Sequence, residues 1–157
     1  MTDTRRLYVT RSPEETGELA QAFGAILQPG DQILLEGPVG AGKTHFARCL
    51  IQSMLGWAED VPSPTFTLVQ TYDTEKAEIW HADLYRLTSP DEVIELGLDE
   101  TFETAICLIE WPDRLGSLVP ADALRLQFVT VDDETREITA TGPDTAWRDR
   151  LPETQNA

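Results

Sequence analysis

The fold of this chain is decided by Gly37-Pro38-Val39-Gly40-Ala41-Gly42-Lys43-Thr44. The stretch fits G-x-x-x-x-G-K-[ST], the P-loop pattern that cradles the phosphates of a nucleoside triphosphate. Glycine allows backbone N–H groups to converge on phosphate oxygens without side chains in the way. In such a loop Lys43 brings a positive charge to the β- and γ-phosphates, and Thr44 offers a hydroxyl to Mg²⁺. We therefore expect the nucleotide to be bound by Gly37, Val39, Gly40, Ala41, Gly42, Lys43 and Thr44.

The flanks of the loop match the strand and helix that a P-loop requires. Gln32-Ile33-Leu34-Leu35 is a short apolar run, which predicts a buried strand before the loop. After the loop, apolar residues recur at helical spacing and predict one buried helix face: Ala47, Leu50, Ile51 and Met54. Gly56 predicts the end of that helix. The N-terminus of the helix would add its partial positive charge beneath the phosphates. A glycine-rich turn that binds nothing has no need of Lys-Thr in that register.

Composition and charge narrow the class of protein. The chain has 157 residues, 41% hydrophobic and 25% charged, which indicates one folded domain rather than a disordered chain. We expect that domain to span residues 1–151, with a frayed tail at 152–157. The net charge of −16 disfavours direct binding of free nucleic acid, because phosphate backbones are bound by Lys and Arg.

Cysteine usage and the absence of long apolar runs predict the compartment. Cys49 and Cys107 both fall in apolar stretches and are typical of buried thiols in a reducing environment. The N-terminus is polar, and no run of apolar residues approaches the length of a signal peptide or a membrane span. We expect a cytoplasmic protein with no membrane association.

The remaining pattern alternates strands and helices. Ser12-Pro13-Glu14-Glu15 predicts a capped helix start, and Ser89-Pro90-Asp91-Glu92 predicts a second capping box. The other predicted elements are a strand at 7–9, a hairpin of 67–72 with 78–83, a buried strand at 105–109, a terminal hairpin between 124 and 140, and a short last helix at 144–151 anchored by Trp147.

Two acidic residues compete for the Walker B position, which meets the Mg²⁺ sphere opposite the P-loop. Glu110 ends the continuous apolar run Ala105–Ile109, and Asp83 ends the second strand of the predicted hairpin. We favour Glu110, because its strand is the more apolar and is expected to lie beside the P-loop strand. A strand-end carboxylate with no role beyond solvation would have the same sequence pattern.

Other candidate side chains carry weaker signals. Thr65 follows two prolines on an extended loop, where it could sense a γ-phosphate, although a plain proline-rich connection fits the spacing too. His81 is more typical of a structural than of a catalytic histidine, and the side chain of His45, in the first turn after Lys43, could be exposed. The scattered histidines and cysteines form no zinc pattern. Asp113-Arg114-Leu115-Gly116 matches the D-x-x-G switch of GTPases, but no guanine-reading N-K-x-D motif accompanies it.

Four blocks occur together in a fixed order: the P-loop, Ser63–Val69 (SPTFTLV), His81–Leu87 (HADLYRL) and Ile106–Pro112 (ICLIEWP). Together they closely resemble the TsaE family (formerly YjeE), small bacterial ATPases of tRNA threonylcarbamoyladenosine biosynthesis. The resemblance covers nearly the whole chain. It implies an α/β fold of the P-loop NTPase sandwich type, in which a mixed sheet has a parallel centre and flanking antiparallel strands.

The resemblance also implies roles for single residues. Thr44 and Glu110 would hold Mg²⁺, while Asp83 would act near the γ-phosphate of ATP together with Lys43. Thr65 would belong to a switch-like loop. Trp111 would lie close to the nucleotide, and the segments that approach the adenine would contain Ser12, Pro13 and Glu134.

In function, the resemblance implies hydrolysis of ATP in complex with the TsaD–TsaB pair, which transfers a threonylcarbamoyl group to adenosine 37 of tRNAs that read ANN codons. Two alternatives are a small-molecule kinase and a nucleotide-dependent scaffold that does not hydrolyse. A kinase usually needs an Arg-rich lid over its second substrate, whereas this chain has 12 Lys and Arg in total and no basic cluster.

Overall fold

The computed structural model describes residues 2–38, 40–56, 61–62, 64 and 68–153. Within these residues seven strands form one sheet: β1 (Asp3–Thr10), β2 (Gln32–Glu36), β3 (Val69–Asp73), β4 (Glu78–Asp83), β5 (Ile106–Glu110), β6 (Leu124–Thr130) and β7 (Arg136–Pro143). The helices are α1 (Pro13–Ile26), α2 (Lys43–Leu55), α3 (Pro90–Leu96) and α4 (Asp144–Trp147), with 3₁₀ turns at Asp99–Thr101 and Pro112–Leu118.

The strand order is β1-β7-β6-β2-β5-β4-β3. β4, β5, β2 and β6 run parallel, whereas β3 joins β4, β7 joins β6 and β1 joins β7 in antiparallel pairing. The predicted mixed sheet with a parallel centre and antiparallel flanks is therefore confirmed. The hairpins predicted on either side of the P-loop strand are these flanks.

The two faces of the sheet carry separate apolar layers. Ile33 and Leu35 of β2 pack with side chains of α1 and α2, while Leu34 between them packs with α3 and the turn at Pro112–Leu118. All five residues of β5 are buried, as a continuous apolar run predicts for a parallel strand covered on both faces. Edge-to-face contacts link the flank to the centre through Tyr8–Phe23, Phe23–Phe46 and Phe46–Phe128, at 5.6, 5.8 and 5.5 Å between ring centroids.

The two predicted capping boxes differ in outcome. At α1, Ser12 Oγ accepts the backbone N–H of Glu15 at 3.1 Å, as predicted. At α3 the box on Ser89 is wrong, because Ser89 makes no side-chain cap. The Glu92 carboxylate instead accepts the backbone N–H of Thr88 at 3.0 Å and its hydroxyl at 2.6 Å, one residue further back.

Some predicted bounds also change. β1 covers Asp3–Thr10 rather than 7–9, because it pairs with β7 along its whole length. The last helix ends at Trp147, although Leu151 still donates its N–H to the Trp147 carbonyl.

Cys107 is buried as predicted, but Cys49 is only partly buried. The Pro152 carbonyl, in the predicted tail, accepts hydrogen bonds from Arg6 Nη1 at 2.8 Å and Tyr8 Oη at 2.5 Å.

Residues 63 and 65–67, which include most of the SPTF block, lie outside the described residues, as does Val39. In the described part of the chain, no helix combines the length and apolarity needed to cross a membrane.

Candidate functional site

The glycine-rich loop (residues 37–44) joins the end of β2 to the start of α2. Gly37 has φ of 144°, and a Cβ there would lie 2.8 Å from the backbone oxygen of Phe128, so no larger residue fits without moving β6. Gly42 has φ of 100° and caps the N-terminus of α2. A Cβ at Gly40 or Gly42 would meet nothing within 4 Å, so both residues border open space. The loop therefore presents backbone, not side chains, at the helix N-terminus, the arrangement that binds anions.

A cavity of about 450 Å³ lies against this loop. That volume is within the range of small-molecule sites. Its lining, among the described residues, is Gly40, Gly42, Lys43, Thr44, His45, Asp83, Tyr85, Glu110 and Trp111. The fold thus brings the loop together with the carboxyl ends of β4 and β5. Of the other predicted site residues, Gly37, Ala41, Ser12, Pro13 and Glu134 are not in this lining, and Val39 and Thr65 lie outside the described residues.

Lys43 is held at the floor of the cavity. Its Nζ donates to the Gly37 carbonyl at 2.6 Å and lies 3.8 Å from the centroid of the Trp111 ring. Burial lowers the pKa of the Lys43 ammonium, and the negative charges of Glu110, Asp83 and Asp113 partly oppose that shift. The cation is therefore surrounded by acidic groups and an indole face, from which it can reach an anion in the cavity.

Trp111 owes its position to an unusual backbone conformation. It follows β5 directly and has φ of 58°, in the left-handed region that few residues other than glycine adopt. Its ring packs against Tyr85 at 4.8 Å between centroids and against the Lys43 ammonium on the cavity side. Backbone strain of this kind is often retained where a side chain has to be aimed into a site.

Thr44 and Glu110 are in direct contact in the wall of the cavity. Thr44 Oγ1 donates to Glu110 Oε1 at 2.8 Å, and Glu110 is 2% exposed. β5 lies directly beside β2, so the strand that we expected next to the P-loop strand is the one that carries Glu110. Asp83 is its neighbour in register on β4 and accepts the backbone N–H of Tyr85 at 3.0 Å. The two carboxylates that compete for the Walker B position therefore both border the cavity.

The donor set suits a hard divalent cation. The Thr44 hydroxyl and the Glu110 carboxylate supply oxygen ligands, the type that Mg²⁺ takes. Among the residues that the structure describes, no group of three or more His, Cys, Asp or Glu is arranged to hold a metal ion. A cation between Thr44 and Glu110 would have to complete its shell with water and phosphate oxygens, which is how Mg²⁺ is commonly bound at phosphate sites.

Sequence reasoning did not find Arg136, which holds the loop from the opposite side. Its guanidinium Nε donates to the Ala41 carbonyl at 3.1 Å, and Nη1 donates to the Asp132 carbonyl at 2.8 Å. The backbone N–H of Glu134 donates to Asp132 Oδ1 at 3.0 Å in the same turn. The only available signal was one basic residue within an acidic turn, at 132–136.

His45 connects the cavity to the start of α1. Its Nε2 lies 2.9 Å from the Pro13 carbonyl, next to Ser12 at the N-cap of that helix. Ser12 and Pro13 thus lie behind a cavity-lining residue without being in the lining described here. Tyr85 was quoted only as part of the HADLYRL block, and the structure adds its contact with Trp111.

Comparisons with known proteins agree with this architecture. A family profile described as "Threonylcarbamoyl adenosine biosynthesis protein TsaE" matches residues 10–138. The chain belongs to the TsaE family. It is 42% identical over 128 residues to the "tRNA threonylcarbamoyladenosine biosynthesis protein TsaE" of Rickettsia bellii, which covers 82% of this chain and 89% of that protein. The protein of the same description from Bacillus subtilis is 39% identical over 133 residues, covering 84% of this chain and 82% of its own length.

A solved structure supports the fold as well. The crystal structure of YdiB from Bacillus subtilis superposes with a TM-score of 0.76 at 31% identity and covers 96% of this chain and 91% of that one. Family membership assigns the protein to tRNA threonylcarbamoyladenosine biosynthesis.

Proposed function

We propose that this TsaE-family protein binds ATP with Mg²⁺ in the cavity beside Lys43 and hydrolyses it in support of tRNA threonylcarbamoyladenosine formation. The observation that carries the proposal is the 2.8 Å contact between Thr44 Oγ1 and Glu110 Oε1, from residues 66 positions apart in the chain. P-loop NTPases hold Mg²⁺ between the hydroxyl of the loop and an acidic residue at the end of a neighbouring strand. The fold places such a pair at the mouth of a glycine-rich loop.

Most residues of the cavity then have a role. The loop backbone and Lys43 would bind the β- and γ-phosphates, and Thr44 and Glu110 would hold Mg²⁺, which when bound neutralises phosphate charge. Asp83, next to Glu110 in register, would orient the attacking water. Trp111 would pack against the nucleotide. We retain Thr65 as a proposed sensor of the γ-phosphate, and Ser12, Pro13 and Glu134 as proposed neighbours of the adenine.

We further propose that the TsaD–TsaB pair is the partner that hydrolysis serves. Support comes from the family resemblance and from the net charge of −16, which makes the isolated chain a poor ligand for a tRNA backbone. The protein would then act on the transferase rather than on the tRNA itself. An acidic body is also well suited to a basic surface of a tRNA-binding partner.

The proposal is tested by phosphate release from ATP, measured with the protein alone and with the TsaD–TsaB pair. We expect slow release alone, stimulation by the pair, and no release from Lys43→Met with or without it. ATP binding without release under any condition would favour the nucleotide-dependent scaffold instead. Transfer of the γ-phosphate to a metabolite in a small-molecule screen would favour the kinase.

A further inference from the structure

The Glu110 carboxylate is held by two donors, one on each oxygen. Thr44 Oγ1 contacts Oε1 at 2.8 Å, and Nε2 of His81 contacts Oε2 at 2.8 Å. His81 lies on β4, the strand next to Glu110, and its side chain is fully buried. The second contact is therefore shielded from water, whereas the first borders the cavity.

Strand geometry puts His81 beneath the cavity rather than in it. Side chains alternate along β4, so His81 points to the same face as Asp83, and that face also carries Glu110 of β5. Asp83 is in register with Glu110, and His81 is in register with Leu108, one step deeper in the sheet. The cavity lining includes Asp83 and Glu110 but not His81. Any effect of His81 on a ligand in the cavity must therefore pass through Glu110.

The contact with Glu110 also bears on which ring nitrogen of His81 carries a proton. A carboxylate that accepts this hydrogen bond takes it from a protonated Nε2. Nδ1 is buried and has no hydrogen-bond partner among the described residues. Burying an unpaired ring nitrogen lowers stability, so an apolar side chain would suit this position better if packing were its only role.

We propose that His81 is a positioning residue, which fixes the rotamer of Glu110 so that Oε1 stays directed at Thr44 and the cation site. The inference rests on the proposed function, because its benefit is realised only when Mg²⁺ binds at Thr44 and Glu110. Partners that orient a metal-binding side chain typically change metal affinity about 10- to 100-fold when they are removed. Without His81, the carboxylate would be held by Thr44 on Oε1 alone, and Oε2 would lose the donor that it has among the described residues.

Two variants separate the donor from the packing. His81→Leu removes the donor and fills the space, whereas His81→Gln keeps an N–H donor near the end of a side chain of similar length. Binding of Mn²⁺ in the presence of ADP, followed by electron paramagnetic resonance, should weaken about 10- to 100-fold in His81→Leu. In His81→Gln most of the lost Mn²⁺ affinity should be recovered. Affinity for ADP without a metal ion should stay unchanged in both variants, with thermal unfolding as the check on the fold.

A double-mutant cycle tests whether His81 acts through Glu110. Once Glu110→Ala has removed the carboxylate, adding His81→Leu should cause little further loss of Mn²⁺ affinity, because no carboxylate remains for His81 to orient. Additive losses would overturn the inference, and so would His81→Leu binding Mn²⁺ as tightly as the wild type. If the wild type itself binds no metal–nucleotide complex, the proposed function fails, which is a different result.

The tautomer can be read without any ligand. In ¹⁵N NMR of the wild type, with His45→Gln used for assignment, His81 should show a protonated Nε2. This measurement tests the hydrogen bond to Glu110 even where His81→Leu fails to fold. A proton on Nδ1 instead of Nε2 would refute the hydrogen bond to Glu110 and the inference with it.

Discussion

Arg136 and Ala41 are joined by a hydrogen bond of 3.1 Å from the guanidinium Nε to the carbonyl oxygen, across 95 positions of sequence. The same guanidinium donates to the Asp132 carbonyl at 2.8 Å, so one side chain ties the turn between β6 and β7 to the glycine-rich loop. The conformation of that loop is therefore supported from outside the strand and helix that it connects.

Arg136→Met should weaken nucleotide binding by about 5- to 30-fold, the equivalent of one or two lost hydrogen bonds, while the fold persists. Titration calorimetry with ADP measures it. Arg5→Met, on the exposed edge strand β1, removes the same charge far from the loop in the sequence and is the matched control. Equal losses in the two variants would mean that net charge, not the contact with Ala41, sets the affinity.

Lys43→Met should weaken ATP binding strongly, because it removes the charge that we propose meets the phosphates and that lies 3.8 Å from the centroid of the Trp111 ring. Charge-assisted hydrogen bonds of this kind contribute about 1.5–3 kcal/mol, which corresponds to roughly 10- to 150-fold in affinity. Calorimetry of the folded variant is the measurement. Unchanged ATP affinity would remove the basis for assigning a phosphate site here.

Asp83→Ala should lose hydrolysis but keep ATP binding. Asp83 borders the cavity beside Glu110, so it can orient water without contributing much ground-state affinity. Phosphate release with the TsaD–TsaB pair and calorimetry with ATP separate the two effects. Asp83→Asn serves as the matched variant that keeps the acceptor for the backbone N–H of Tyr85. Full activity of both variants would exclude Asp83 from the chemistry.

Glu110→Gln should preserve the fold and raise the Mg²⁺ requirement. The amide oxygen can accept from His81 while the amide nitrogen donates to the Thr44 hydroxyl, so both 2.8 Å contacts have a substitute. The negative charge is lost, and hard cations favour anionic oxygen ligands. We therefore expect the Mg²⁺ concentration for half-maximal hydrolysis to rise about tenfold or more. An unshifted Mg²⁺ titration would transfer the Walker B role to Asp83.

The free energy of unfolding should fall as pH rises from about 9 to about 11, in part through Cys107. Burial raises the pKa of the Cys107 thiol from 9.0 to about 11. Between these values the unfolded chain has lost the thiol proton while the native chain retains it, so stability decreases with pH. Two pKa units correspond to about 2–3 kcal/mol. Urea unfolding under reducing conditions should show a steeper loss for the wild type than for Cys107→Ala, and equal slopes would contradict the assignment.

The elements next to the glycine-rich loop could be predicted because their signals are local. The continuous apolar run before Glu110 and the helical spacing from Ala47 to Met54 are both visible within a few residues. The full length of β1 could not be predicted, because it depends on pairing with β7, which lies more than 120 positions away in the sequence. The capping box of α3 was wrong although Ser89 is its N-cap residue, because Thr88 and Ser89 both carry hydroxyls, and only the backbone decides which one the Glu92 carboxylate reaches.

The candidate site likewise contains residues that the sequence predicts and contacts that only the structure shows. Lys43, Thr44 and Glu110 belong to recognisable motifs, and the structure brings them around one cavity. The contact of Arg136 with Ala41 joins distant segments of the chain, and that of His81 with Glu110 joins two neighbouring strands. Neither contact can therefore be predicted from a local sequence pattern. Val39 and Thr65 remain predictions, because they lie outside the described residues.

The indole of Trp111 contacts both the Lys43 ammonium and the Tyr85 ring, on a backbone turned into the left-handed region. Any anion that draws the ammonium away from the indole face changes the electric field across the chromophore itself. Trp147, by contrast, is anchored by the Asp122 carbonyl and does not line the cavity. We therefore expect the fluorescence emission of Trp111 to change when an anion enters or leaves the site. The change can be followed in real time without an attached dye.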